Sequence, residues 1–175
     1  VLSGYAFDSE SGKSYIETKL SEFNADEISW LNVQDGDISH EILLTKNWQI
    51  ENVNSQEEFT FWRRFLLELS VFKPDVFFSY GARPLNLLMF SEARYRNILN
   101  VAYLVNGSYE SNRWCLDVDH IVTDTKATQD LYLKKLDIAP TPYGKFISRD
   151  KIYSNEKQGK RILFVNPVPA KGAFI

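Results

Sequence analysis

The chain has a single cysteine, Cys115, so an intramolecular disulfide is excluded and a reducing compartment fits best. Its only two histidines, His40 and His120, are far apart in sequence and have no cysteine company, which argues against a structural zinc. No apolar run approaches the roughly 18 residues of a transmembrane helix, and no signal peptide is visible. Val1 in place of Met leaves open a leader removed beforehand. No basic block occurs, and 20 Lys and Arg stand against 23 Asp and Glu for a formal net charge of −3. A nucleic-acid surface, which needs clustered cations, is therefore not expected. Neither Gly-x-Gly-x-x-Gly nor a P-loop is present, and there is no repeat or low-complexity tract.

What the chain does have is bulk. Hydrophobic residues make up 44% of its 175 positions, with 12 Phe, 9 Tyr and 4 Trp. That is enough for one ordinary domain with a sizeable core, and too apolar for disorder.

Apolar spacing then predicts the elements. Val1 to Gly4 reads as the tail of a strand entering a Ser- and Gly-rich loop, and Lys13 to Phe23 as a short amphipathic helix carrying Tyr15, Ile16, Leu20 and Phe23. Ile28–Val33 and Ile38–Thr45 read as strands around a turn at Asp35-Gly36. Ser55 is the expected N-cap of the clearest helix, with Glu58 in the capping-box position and Lys73-Pro74 as its stop. Short apolar strands follow at Asp75–Tyr80, Asn97–Val105 and His120–Thr123. Helices are expected from Pro84 to Arg96 and, capped by Asp124-Thr125, through Leu136. Pro140 and Pro142 mark a loop, Gly144–Ser148 a further short strand, and Asp150–Gly159 a polar linker.

Strands alternating with helices predict an α/β fold: an open, mainly parallel Rossmann-like sheet with helices on both faces. Ligands of such sheets bind beyond the carboxyl ends of the strands. That rule selects Gly12, Tyr80 to Arg83, Asn106 to Tyr109, Thr123 to Thr125 and Lys171-Gly172 as candidate site residues. The last stretch, Lys160 to Gly172, passes from the apolar run Ile162–Val165 through a Pro-broken turn to one cation and one glycine. A strand and loop without their helix read as the opening of a further domain, so the chain is expected to be the front part of a larger protein.

Four segments together resemble glycosyltransferase family 4, enzymes of the GT-B fold. Lys73-Pro-Asp75 before an apolar strand is similar to the step that follows the family's long helix. Ser11-Gly12-Lys-Ser-Tyr15 resembles its Gly-containing first loop, and His120-Ile-Val-Thr-Asp-Thr125 the strand that precedes one of its helices. Lys160 to Gly172 resembles the entry to its second lobe. The resemblance implies one lobe of a GT-B fold, with residues 1–150 as an acceptor-binding Rossmann-like domain. Residues 151–175 would be a linker and the start of a truncated nucleotide-sugar-binding domain.

The implied activity is retaining transfer of a sugar from a nucleotide-sugar to a glycan or lipid-linked acceptor, without a metal or other cofactor. The implied place is the cytoplasm, with peripheral association at the inner face of the membrane. On this pattern Gly12, Lys171 and Gly172 bind the donor, and Tyr80, Arg83, Asn106, Gly107 and Thr125 the acceptor. The catalytic residues would lie past Ile175, leaving this segment inactive alone. Two departures from the family stand out: Asn166-Pro167 replaces the usual Gly-Arg, and Asn106-Gly107 replaces a frequent His.

Other readings stand beside this one. Lys171 and Arg83 can be solvated loop cations, and Gly12 a plain turn residue. Asn106-Gly-Ser108 is a formal glycosylation sequon without secretory context. Asp35-Gly-Asp37 and Asp117-Val-Asp119 resemble metal-holding Asp-X-Asp, yet the latter precedes its strand rather than ending one. Cys115 beside Trp114 reads as core. A non-catalytic α/β ligand- or partner-binding domain is the main alternative function.

Overall fold

A computed structural model describes residues 1–4, 14, 17–18, 30–45, 52–105 and 107–144. All of these but Gly144 lie in one compact unit, Val1–Tyr143; a second unit runs from Gly144 to Ile175. Gly12, Asn106, Lys171 and Gly172 lie outside the described residues, as does the strand expected after Gly144.

The strands are β1 (Leu2–Gly4), β2 (Trp30–Asp35), β3 (Ile38–Leu43), β4 (Val76–Ser79), β5 (Leu99–Leu104), β6 (His120–Thr123) and β7 (Thr141–Pro142). The helices are α1 (Ser55–Val71), α2 (Pro84–Tyr95) and α3 (Lys126–Leu136), with a 3-10 turn at Arg113–Cys115. The hairpin of β2 and β3 turns at Gly36, whose φ of 56° suits a residue without a Cβ. Strand β1 pairs parallel with β3, giving the order β1-β3-β2. Strands β4 to β7 form a fully parallel sheet in chain order. The fold is thus α/β and mostly parallel, as expected.

Register explains the core. Phe77 lies opposite Asn100, Ser79 opposite Ala102, Ala102 opposite Ile121 and Leu104 opposite Thr123, so these side chains share one face. On that face Phe65 and Leu69 of α1 pack with Met89 and Ala93 of α2, and Phe77 borders them. Phe90 of α2, Ala102, Leu104, Trp114 and Tyr132 of α3 form the adjoining cluster, again bordered by Phe77. Burying each such large apolar side chain stabilises the fold by about 1.5–3 kcal/mol. Helices α1 to α3 thus all pack on this one face.

The expectation of helices on both faces is therefore met by these three helices on one face only. The opposite face carries Val76, Phe78, Leu99 and Val105, all exposed. The helix expected over Lys13–Phe23 is described only at Ser14, Glu17 and Thr18, which are helical and exposed.

Two local expectations need correction. Helix α1 is capped by Asn54 rather than Ser55: its Oδ1 accepts the N–H groups of Gln56 and Glu57, and Glu57 Oε2 accepts the N–H of Asn54. The capping box is therefore complete one residue earlier than Ser55 and Glu58 would place it, because the Asn amide reaches two donors at once. The loop expected at Pro140–Pro142 contributes an edge strand, β7, and just after it the Tyr143 N–H donates to Thr123 O at 2.9 Å. Pro142 is tolerated there because an edge strand leaves one side of its backbone unpaired.

Candidate functional site

The strands form two separate sheets, β1-β3-β2 and β4-β5-β6-β7. The carboxyl ends of β1 and β4, one from each sheet, line the same hollow, a cavity of about 310 Å³. Open α/β sheets hold their ligands outside the carboxyl ends of the strands.

The floor is apolar: Leu2, Leu43, Phe61, Leu85 and Met89. Ser3, Gly4, Thr45, Ser79, Tyr80 and Gly81 come from strand ends, Glu57 and Glu58 from α1, and Arg83 and Asn86 from the start of α2. Helix α1 precedes β4 and runs back along it, which brings its first turn to the strand's carboxyl end. That is why Glu57 and Glu58 meet Ser79 and Tyr80.

The loop after β4 is held from within. Asn86 Oδ1 accepts the Arg83 N–H at 3.1 Å, and its Nδ2 donates to Tyr80 O at 3.1 Å. Gly81 has φ of 106°, and a Cβ there would lie 2.7 Å from Asn86 Oδ1. The Arg83 guanidinium donates to Glu58 Oε1 at 3.3 Å. Tyr80 is 69% exposed at the rim.

Tyr109, from the loop after β5, reaches the same region. Burial pushes its hydroxyl pKa up from the ordinary 10.0, Tyr132 adds to the rise, and a hydrogen bond with the Gly81 backbone works against it. The Tyr109 N–H donates to the hydroxyl of Tyr132, a residue with no exposure, at 3.1 Å.

Of the residues expected to bind an acceptor, Tyr80 and Arg83 line this cleft. Gly107 and Thr125 do not: Gly107 stands against Leu131, where a Cβ would meet the side chain at 2.7 Å. Thr125 caps α3, its Oγ1 accepting the Thr128 N–H at 3.0 Å. Glu57, Glu58, Asn86 and Thr45 were not anticipated. Their signal was available only in part, in the rule that a helix leading into a parallel strand starts at that strand's carboxyl end.

Asp119 is an exposed loop residue, as expected, but its carboxylate is also engaged. Its Oδ2 accepts the Asn100 N–H at 2.8 Å and its Oδ1 receives Arg94 at 3.4 Å, at the amino ends of β5 and β6. Cys115 is half-buried, its Sγ donating to Asn112 O at 3.1 Å, and burial pushes its thiol pKa up from the ordinary 9.0. A raised thiol is a poor nucleophile, which fits the core reading.

A second, larger hollow of about 550 Å³ lies along the outer side of α1, lined by Trp30, Phe59, Arg63, Arg64, Leu67 and Arg96 among others. Arg64 there is held by Glu41 and Glu68, and Arg96 by Glu92. It shares no lining residue with the strand-end cleft, and two of its three arginines are already paired, which marks it as a helix surface rather than a built site. Among the described residues no group of three His, Cys, Asp or Glu is placed to hold a metal ion, and no helix is long and apolar enough to cross a membrane. Comparison with protein-family models, curated proteins and solved structures finds no match to this chain.

Proposed function

We propose that this chain is the acceptor-binding lobe of a retaining glycosyltransferase acting on a nucleotide-sugar. The observation that carries the reading is the cleft between the carboxyl ends of β1 and β4, with Tyr80 and Arg83 on its rim. In the reaction, an acceptor hydroxyl oxygen bonds to the anomeric carbon as the bond from that carbon to the nucleoside diphosphate breaks, the hydroxyl's proton passing to the departing diphosphate oxygen. Such a step needs cations and N–H groups at the departing diphosphate, on the donor's side. It needs only grip and orientation on the acceptor's side.

Grip is what the cleft offers. Glu57 is engaged in capping α1 and Glu58 in pairing with Arg83, so neither carboxylate is set up as a base. Donor contacts are assigned on this reading to Gly12, Lys171 and Gly172, and catalysis to residues past Ile175. The protein would work in the cytoplasm, at the inner face of the membrane when its acceptor is lipid-linked.

The same engaged carboxylates would suit a binding domain without catalysis, and one experiment separates the two. The full-length protein is offered a panel of nucleotide-sugars with glycan acceptors, and nucleoside diphosphate release is followed. Release that depends on acceptor supports the transferase; no release from any donor removes it.

A further inference from the structure

We propose that the cleft selects an uncharged, hydroxyl-bearing acceptor over a phosphorylated or carboxylated one, and that Glu58 sets this preference through its pair with Arg83. The inference rests on reading the cleft as the acceptor site, and it narrows the acceptor's chemistry.

Three kinds of group at this cleft would ordinarily hold an anion: a guanidinium, a loop N–H and the first N–H groups of a helix. One of each kind is already bound to an oxygen of the chain, although the start of α2, at Leu85 and Asn86, has no side-chain cap. The Arg83 guanidinium donates to Glu58 at 3.3 Å. The Arg83 N–H donates to Asn86 Oδ1 at 3.1 Å. At the start of α1 the N–H groups of Gln56 and Glu57 go to Asn54 Oδ1, and that of Glu58 to Asn54 O at 3.0 Å. Among the described lining residues, the carboxylates of Glu57 and Glu58 outnumber the one guanidinium. An incoming phosphate would have to displace Glu58 and then sit beside both carboxylates, a repulsion that solvent screens only in part because the Arg83 and Glu58 side chains are 40% and 34% exposed.

A neutral polyol faces no such competition. Glu58 and Arg83 present an acceptor and a donor side by side, and a pair of neighbouring sugar hydroxyls can donate to one while accepting from the other. The exposed ring of Tyr80 offers a flat face for the C–H side of a sugar, over an apolar floor.

The test uses the full chain, titrated with neutral disaccharides (maltose, cellobiose and lactose), with glucose 1-phosphate and with inorganic pyrophosphate. Wild type is expected to bind at least one disaccharide more tightly than either anion. Glu58→Gln is expected to gain affinity for pyrophosphate by about tenfold, the effect of removing one repelling charge beside a guanidinium. Arg83→Gln is expected to weaken the disaccharide and, combined with Glu58→Gln, to cancel the gain. An unchanged unfolding midpoint checks that each variant folds. Tighter binding of an anion by wild type, no gain in Glu58→Gln, or silence from every disaccharide overturns the proposal. Selective sugar binding by a full-length protein that releases no nucleoside diphosphate would uphold this inference and remove the transferase reading. Turnover onto a phosphorylated acceptor would do the reverse.

Discussion

The side-chain oxygen of Asn86 stands 2.7 Å from where a Cβ on Gly81 would be, while accepting the Arg83 N–H at 3.1 Å. One amide thus holds the loop after β4 and crowds any side chain at residue 81. With φ of 106° at Gly81, alanine there meets both strain and a clash.

Gly81→Ala should destabilise the chain by about 2–4 kcal/mol, strain and steric overlap together. Denaturant midpoints will measure it. In an Asn86→Ala background the increment should shrink toward about 1–2 kcal/mol, the backbone part alone. Strict additivity of the two substitutions would show that Asn86 does not press on residue 81.

Asn54→Ala should cost about 1 kcal/mol, whereas Ser55→Ala should change stability by no more than a few tenths. The comparison decides which residue caps α1. The reverse order would restore Ser55.

Asn100 has no exposure, and its Nδ2 donates to Phe90 O and Asp117 O, both at 2.7 Å. Asn100→Ala leaves two carbonyls without that donor and opens space, at a cost of about 3 kcal/mol by thermal or chemical unfolding. Arg94→Ala, which removes a half-exposed partner of Asp119, should cost no more than about 1 kcal/mol. Equal costs would mean that the outer ion pair, not the buried amide, anchors the amino ends of β5 and β6.

Stability should fall in alkali for a definable reason. Tyr109 and Cys115 both have their pKa raised by burial, so above their ordinary values of 10.0 and 9.0 the unfolded chain loses protons that the folded chain keeps. Their contribution is complete below those values and is lost as pH rises through the folded ones. A melting-temperature profile from pH 7 to 11 should therefore decline from about pH 9 upward, and less steeply in a Cys115→Ala, Tyr109→Phe double variant. An identical slope in the variant would place the loss elsewhere.

Much of this fold is legible in the residues themselves. His120 to Thr123 forms a strand with the expected bounds, and Leu136 ends its helix, because an apolar run followed by a Thr cap leaves few alternatives. The hairpin around Gly36 follows from a glycine between alternating segments. Tyr80 and Arg83 were reachable from the rule that strand ends face ligands. Glu57, Glu58 and Asn86 were not, because their place depends on which helix turn lies beside which strand end. The edge strand at Thr141–Pro142 was hidden by its prolines, and the work of Asp119 by a partner 19 residues away. Gly107 and Thr125 sit at strand exits as expected, yet one faces a leucine and the other caps a helix.

The most direct measurement is a residue-resolved NMR titration of the isotope-labelled chain with the neutral disaccharides. Shifts gathered at Ser3, Gly4 and Ser79 to Arg83 are predicted, and they should vanish when Arg83 and Tyr80 are both replaced by alanine. Shifts gathered instead along the outer side of α1, at Trp30, Phe59 and Arg63, would contradict a ligand site at the meeting of β1 and β4.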